Sequence, residues 1–270
     1  MWKSFNELRY SSSNLIGLLI WILTCLSLPI LGWIMGDDYL LRGISMSVLF
    51  QAIAVLMIIN HSLGLQRTFS LFATVTGISF LAEWLGVNTG FPFGKYTYTA
   101  ILQPQLAGVP LIIPLAWWMM LPPAWGIAYF ITGQVGAGFK PAPTISFVIV
   151  SALAFTAWDL FLDPQMVAWD FWRWQSAGQY FGIPLSNFLG WLVISALLSF
   201  IANPVNIPAG PLSLVYGLTW ILQTVGQGIF WQQPGPALVG FTVTGIFVLL
   251  AFFSATPPKT WEWITNNKSH

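Results

Sequence analysis

Charge is scarce in this sequence: of 270 residues, nine are Lys or Arg and eight are Asp or Glu, together 6%. A soluble domain carries about 25% charged residues, because its surface must be hydrated. Here apolar residues make up 56% of the chain, and tryptophan alone occurs 16 times. The composition therefore predicts an all-α, polytopic integral membrane protein whose surface is covered mainly by lipid.

Cysteine and histidine are scarcer still. Cys25 is the only cysteine, which excludes an internal disulfide, cysteine-ligated zinc and iron–sulfur clusters. Two histidines, His61 and His270, are too few for the histidine-rich di-iron hydroxylases and desaturases. A net charge of +1 offers no basic stripe for nucleic acid. We therefore expect neither a bound metal nor a nucleic-acid partner.

Uncharged apolar windows recur along the chain, each long enough at about 1.5 Å per residue to cross a bilayer. Eight windows predict membrane spans: Leu15–Met35, Gly43–Asn60, Phe69–Leu85, Leu106–Thr132, Ile145–Leu162, Ile183–Asn203, Leu212–Phe230 and Ala237–Ala255. Seven spans are the alternative, because only Trp231–Pro236 separates the last two windows. The first window is too long for a signal-peptide core and lacks a cleavage site, so we interpret it as a retained anchor.

The loop charges predict the orientation of these spans. With eight spans, one side of the membrane receives six basic residues: Lys3, Arg9, Arg67, Lys140, Lys259 and Lys268. The other side receives three: Arg42, Lys95 and Arg173. Because basic loops favour the cytoplasm, both termini are predicted to be cytoplasmic. No linker or soluble segment interrupts the pattern, so residues 1–270 are interpreted as a single membrane domain.

Three acids lie in or at the ends of the apolar helices: Glu83, Asp159 and Asp163. An ionisable group in a membrane helix costs about 2.5 kcal/mol or more at the centre and commonly marks a functional interior. Asp159 and Asp163 are four residues apart and share a helical face. The spacing of the spans puts Glu83 and Asp163 at one membrane surface, predicted to be extracytoplasmic. The structural alternative is a set of interfacial acids that merely mark helix ends.

Three features occur twice in the same order along the chain: a helix that ends near an acid, a loop rich in aromatic residues, and a helix that begins with Gly-x-Pro-Leu. The two phrases are Gly108–Leu111 and Gly182–Leu185, and nine residues after each glycine stands a tryptophan, Trp117 and Trp191. We interpret this order as a weak internal duplication in parallel orientation, with one pocket between the halves.

Such a pocket suits acid catalysis. A carboxyl enclosed by aromatic rings is expected to keep its proton near neutral pH, and a neutral acid can protonate a carbon–carbon double bond. Ring faces then stabilise the carbocation. A second carboxylate, together with the amide of Asn187, can hold water and take its proton. Most of the tryptophans are expected to form interfacial belts or core packing.

Three phrases carry a family resemblance: Glu83–Tyr98, Asp159–Pro164 and Gly182–Trp191. In sequence and order they resemble a family of carotenoid-biosynthesis membrane proteins, which includes gamma-carotene hydratases (1'-hydroxylases) of cyanobacteria and bisanhydrobacterioruberin hydratases of haloarchaea. The likeness covers roughly residues 69–200, a core beyond which both ends match only in hydrophobicity.

The resemblance implies a cofactor-independent carotenoid 1,2-hydratase of the lyase class, on a route such as that to myxol glycosides. Water would add to the terminal double bond of an acyclic psi end, giving a tertiary alcohol. The substrate would lie in the lipid of a prokaryotic cytoplasmic or thylakoid membrane, and a downstream carotenoid glycosyltransferase is a candidate partner. We predict Glu83 or Asp159 as the general acid, and Asp163 or Asn187 as the group that holds and deprotonates water.

Seven aromatic residues are the predicted substrate contacts: Trp84, Phe91, Phe93, Tyr96, Trp158, Trp172 and Trp191. Three other functions fit parts of the pattern. Asp159-x-x-x-Asp163 resembles half of the aspartate-rich motif of a magnesium-dependent prenyltransferase. Acids, an amide and Pro/Gly-broken helices also suit an ion-coupled carrier. The third alternative is a non-catalytic scaffold for a pigment complex.

Overall fold

Helices dominate the fold. The structure, a computed structural model, describes residues 12–133 and 144–255. Within these ranges the α-helices are α1 (Ser12–Met35), α2 (Asp37–Leu63), α3 (Leu65–Thr89), α4 (Ile112–Ile131), α5 (Ile145–Ala168), α6 (Leu185–Ala202), α7 (Ala209–Val225) and α8 (Pro234–Ala255). They correspond one to one with the eight predicted windows, and the all-α polytopic bundle is confirmed.

Six of these helices, α1, α2, α3, α5, α6 and α8, are long and apolar enough to cross a membrane. Helix α7 has 17 residues and continues into a π-helical turn, Gly226–Phe230. Helix α4 lies at the centre of the bundle, against α2, α3, α5, α7 and α8. Most of its side chains are buried, and a helix that is apolar on every side belongs in such an interior position.

The predicted start of the fourth span is wrong. The residues directly before Ile112 form a small hairpin rather than helix, with Gln105–Leu106 paired antiparallel to Val109–Pro110. Gly108 turns the chain between these two short strands with a φ of 81°, a conformation that suits glycine. The span therefore begins at Ile112 and not at Leu106.

The predicted end of the fifth span is also wrong, because α5 continues through Pro164 to Ala168. A proline inside a helix leaves the carbonyl four residues earlier without its donor. Here the Tyr180 hydroxyl donates to the Leu160 carbonyl at 2.9 Å and replaces the missing bond. Asp163 consequently lies in the helix, on the same face as Asp159, and not at the start of a loop.

The two aromatic loops pair with each other. The strand Tyr96–Tyr98, here β1, runs antiparallel to the strand Trp172–Trp174, here β2. Tyr96 lies opposite Trp174, and Tyr98 lies opposite Trp172. The pair joins the loops that follow α3 and α5, so it brings the two predicted halves together over the ends of the helices that carry the acids.

The predicted orientation depends largely on residues outside the described ranges. Lys3, Arg9, Lys140, Lys259 and Lys268 all lie there. The cytoplasmic location of both termini therefore stays a prediction.

Candidate active site

Glu83 is buried near the end of α3 and accepts three hydrogen bonds. The hydroxyls of Tyr96 and Tyr98 donate to its Oε2 at 2.5 and 2.8 Å. The indole N–H of Trp117, on α4, donates to its Oε1 at 3.1 Å. Burial, followed by the charge of Glu83, raises the pKa of Tyr96 and of Tyr98, so both phenols remain hydrogen-bond donors.

Asp163 has a matching set of donors from the second half. The indole N–H groups of Trp172 and Trp174 donate to its Oδ1 at 2.7 and 3.2 Å. Its Oδ2 accepts a hydrogen bond from the amide nitrogen of Asn187, which stands in the first turn of α6. The same nitrogen donates to Oδ2 of Asp159 at 2.7 Å, so one amide joins both aspartates.

The strand pair explains how these donors reach the acids. Side chains two residues apart on a strand point to the same face. Tyr96 and Tyr98 therefore both reach Glu83, and Trp172 and Trp174 both reach Asp163. Each strand therefore supplies hydrogen-bond donors to the acid of its own half. The pairing of the strands places the two sets of donors side by side.

A cavity of about 350 Å³ lies between these elements. Glu83, Asp163 and Asn187 line it, together with a wall of aromatic rings. The aromatic residues of that wall include Phe93, Tyr96, Tyr98, Trp117, Trp158, Trp172, Trp174 and Trp191. The combination is a mainly apolar cavity with a few convergent polar groups, which is the usual character of a small-molecule site.

The carboxyls lack cationic partners in the described part of the chain. The ion pair found there joins Asp170 to Arg173 on the exposed loop, away from the three acids. Asp159 Oδ1 is buried and accepts no hydrogen bond from any described residue. Among those residues, no three His, Cys, Asp or Glu side chains form a group suited to a metal ion.

The structure brings most of the predicted site residues together. Phe93, Tyr96, Trp158, Trp172 and Trp191 line the cavity with three of the four predicted catalytic residues. Asp159 does not line it and contacts it only through Asn187.

Two of the predicted substrate contacts, Trp84 and Phe91, lie outside this cavity. Their side chains are 41% and 70% exposed, and neither lines the cavity. Trp84 follows Glu83 in a helix, where successive side chains point about 100° apart, so the neighbour of an inward acid faces outward. Phe91 belongs to the turn after α3, on the outer surface.

Three contacts of the carboxyls were missing from the predicted site: Tyr98, Trp117 and Trp174. The alternation of aromatics in Tyr96-Thr97-Tyr98 and in Trp172-Arg173-Trp174 was a signal for strands and could have identified two of them. Trp117 was visible as one member of the repeated Gly-to-Trp spacing.

The arrangement is suited to moving protons and stabilising positive charge. Two separate carboxyls face one cavity, so one can donate a proton while the other accepts one. Donors around Glu83 and Asp163 stabilise each carboxylate when it forms. Between them lie ring faces, whose negative quadrupole attracts a cation.

Comparison with known proteins identifies relatives of this chain. The chain is 32% identical over 120 residues to the bisanhydrobacterioruberin hydratase of Haloarcula japonica, a match that covers 44% of this chain and 39% of that protein. No solved structure matches the chain. The family model described as "Carotenoid biosynthesis protein" matches residues 43–247, farther at both ends than the predicted core of residues 69–200. Since this match spans most of the sequence and includes all the carboxyls of the site, the chain belongs to the carotenoid biosynthesis protein family.

Proposed function

We propose that this protein is a carotenoid hydratase that adds water by acid catalysis to the terminal double bond of an acyclic psi end. The observation that carries the proposal is the pair of hydrogen-bonded carboxyls, Glu83 and Asp163, facing one aromatic cavity. The similarity to the Haloarcula protein, which is named a hydratase, supports the same reaction class. The product is a tertiary alcohol, and the reaction needs an acid, a base, a water molecule and walls that tolerate a cation.

Glu83 is the proton donor in this proposal. Its Oε2 accepts two hydroxyl donors, whereas Oε1 accepts the single N–H of Trp117 and retains a lone pair for the catalytic proton. Proton transfer to the penultimate carbon of the alkene breaks the Glu83 O–H bond and forms a C–H bond. The three donors then stabilise the carboxylate that remains, so they favour the charge-separated transition state.

The positive charge develops on the carbon that bears two methyl groups, and aromatic ring faces stabilise it. Trp117 and Trp191 stack on each other beside Phe155, and the ring of Phe93 lies 6.4 Å from that of Trp117, centroid to centroid. A cation over such a face gains about 2 kcal/mol or more where water is excluded. These rings also keep water from the cation except at the polar end of the cavity.

Asp163 and Asn187 hold the water. The amide nitrogen of Asn187 is turned toward the two aspartates, so its oxygen is the atom that accepts a hydrogen bond from water at the cavity. Attack of the water oxygen on the cation forms the C–O bond, and the released proton passes to Asp163. Transfer of this proton from Asp163 back to Glu83 through cavity water restores the starting protonation states of both groups. The net reaction is the addition of one water molecule to the double bond.

Asp159 is a positioning residue in this scheme. It fixes Asn187 by accepting one of the two amide hydrogens, and its unpartnered Oδ1 is best accommodated as a protonated oxygen in the dry interior. The protein acts in the membrane, with carotenoid as a lipid-phase substrate and both termini in the cytoplasm, and a glycosyltransferase could consume the alcohol that it forms.

The test is expression in cells that accumulate lycopene or gamma-carotene, without oxygen and in oxygen-18-labelled water. We expect a carotenoid heavier by one water, with the label in its hydroxyl group. Glu83→Gln and Asp163→Asn are expected to abolish the product, while Asp38→Asn, an acid at the start of α2, serves as the matched control. Label derived from oxygen gas, or full activity in both site variants, would contradict the proposal.

A further inference from the structure

The cavity continues beyond the carboxyls into a region bounded by α1, α2 and the end of α7. We call this region the apolar arm and define it by Cys25, Leu26, Ile30, Val48, Leu222 and Val225, all of which line the cavity. Glu83 and Asp163 line this cavity from α3 and α5, whereas the arm is lined from α1, α2 and α7.

The polar side chains that line the cavity from α2 and α7 are Ser45, Ser47, Gln51, Thr219 and Gln223. The amide of Gln51 donates to the Thr219 hydroxyl at 3.1 Å, whereas Gln223 Oε1 is buried without a hydrogen bond from any described residue. The hydroxyls of Ser45 and Ser47 donate to the carbonyls of Leu41 and Ile44 in their own helix. Such bonds satisfy the hydroxyls locally. Apart from these groups the arm presents a hydrocarbon surface, which suits a hydrocarbon chain.

The arm also reaches the outer surface of the bundle. Leu26, Ile30 and Trp33 line the cavity, yet their side chains are 56%, 51% and 72% exposed. They stand at i, i+4 and i+7 and so form one face of α1. Because α1 is a membrane-spanning helix, this face meets lipid, and the cavity meets the bilayer between α1 and α7.

A contact between two aromatic rings lies at this gap between α1 and α7. Trp33 packs edge-on against Phe230, with ring centroids 5.6 Å apart, and among the described residues this is the aromatic contact that α1 makes. Phe230 ends the π-helical turn that follows α7. On α1, Pro29 removes the hydrogen bond to the Cys25 carbonyl one turn before Trp33, which allows the helix to bend there.

We propose that the gap between α1 and α7 is a lateral portal through which a long polyene enters from the bilayer, with its reacting end at the carboxyls and its chain in the apolar arm. The inference rests on the proposed function for the class of ligand. A cavity of about 350 Å³ is the size of a small-ligand pocket. A polyene is longer than such a ligand, so the part of the chain beyond the arm stays in the lipid.

The experiment closes the portal with a cross-link that can be removed again. Trp33→Cys and Phe230→Cys are combined in a Cys25→Ala background and bridged with a bis-methanethiosulfonate reagent, which thiols remove again. The matched control is Gly32→Cys with Leu40→Cys, which ties α1 to α2 and leaves the side toward α7 free. A Cβ at Gly32 would lie 3.8 Å from that of Leu40, a distance that suits a disulfide.

Each protein is purified, mixed with lycopene-containing vesicles and recovered, and both bound lycopene and its hydrated product are measured. Bridging Trp33→Cys to Phe230→Cys should abolish lycopene uptake, reduction should restore it, and the control should take up lycopene in both states. Equal uptake in the bridged and reduced protein would overturn the portal. If bridging abolishes lycopene uptake but no sample forms the hydrated product, the portal is supported and the proposed reaction is contradicted.

A second pair of variants needs no cross-link. Ile30→Trp adds bulk on the arm side of α1, whereas Leu19→Trp adds the same bulk at a similarly exposed position, 56%, that does not line the cavity. We expect slower lycopene uptake for Ile30→Trp and the wild-type rate for Leu19→Trp. Wild-type rates in both would count against the portal even if the cysteine variants do not fold.

Discussion

The indole rings of Trp117 and Trp191 stack with their centroids 4.6 Å apart and their planes 19° from parallel. Each tryptophan stands nine residues after the glycine of a Gly-x-Pro-Leu phrase, one in each predicted half. The stack is thus a contact between corresponding positions, at the wall of the cavity. The two rings nevertheless differ in function, because the N–H of Trp117 donates to Glu83.

This difference predicts unequal effects of the same substitution. Trp117→Phe retains a ring but removes the N–H donor from Glu83, so the hydration rate should fall. A hydrogen bond to a charged group contributes roughly 1.5–3 kcal/mol, which corresponds to about a tenfold to hundredfold loss. Trp191→Phe is the matched control and should lose less, because its contacts are ring contacts. Initial rates of product formation measure both, and equal losses would argue against a role for the N–H.

Asn187 is predicted to be important for stability as well as for activity. Its amide nitrogen joins Asp159 and Asp163, and Asn187→Leu would leave both carboxyls without that donor. We expect the free energy of unfolding to fall by about 2 kcal/mol or more, since two buried hydrogen bonds are lost and the one to Asp163 involves a carboxylate. Thermal unfolding in detergent measures the change. The control is Asn88→Leu, because Asn88 is exposed and its side chain donates to a carbonyl of its own helix, so its loss should change the free energy of unfolding little. An equal destabilisation by Asn88→Leu would contradict the stabilising role of Asn187.

The sequence predicted the helices and most of the site, because apolar windows and isolated acids are strong signals in a membrane protein. It did not predict features that depend on contacts between distant residues. The continuation of α5 past Pro164 needs the hydroxyl of Tyr180, 16 residues later. The direction of Trp84 follows from helix geometry rather than from its place beside Glu83. The pairing of Tyr96 with Trp174 depends on the bundle that brings their loops together.

The tyrosines around Glu83 predict a dependence of stability on alkaline pH. Burial and the Glu83 charge raise the folded-state pKa of Tyr96 and Tyr98, whereas in the unfolded chain a tyrosine ionises near pH 10. Their contribution to stability is therefore present in full below about pH 10 and is lost as the pH rises above it. At pH 10, where a free tyrosine is half ionised, the folded wild type and a Tyr96→Phe/Tyr98→Phe variant should show the same tyrosinate absorbance. Two tyrosines titrating near pH 10 would contradict it.

Two acids close in sequence should respond differently to loss of charge. Asp163→Asn removes the proposed proton acceptor and should abolish hydration. Asp170 is exposed and pairs with Arg173, whose hydrogen bonds lower the pKa of that carboxyl. Asp170→Asn should retain activity and change stability little, as is usual for exposed ion pairs. Product formation and thermal unfolding of the two variants separate a catalytic acid from a surface one, and the reverse ranking would refute the assignment.

Gly86 permits the close packing that orients the donors of Glu83. A Cβ at this position would lie 2.8 Å from a ring carbon of Phe93 and 2.8 Å from the hydroxyl of Tyr96. Gly86→Ala should therefore displace both rings, at a cost of roughly 1–3 kcal/mol in the free energy of unfolding, and lower the hydration rate. Gly77→Ala lies on the same helix where a Cβ would meet nothing within 4 Å, so the higher helix propensity of alanine should leave stability unchanged or increased. Thermal unfolding and product formation are measured for both. If Gly86→Ala retains wild-type activity, Tyr96 does not need its present position against Glu83, and the proposed stabilisation of that carboxylate loses its structural basis.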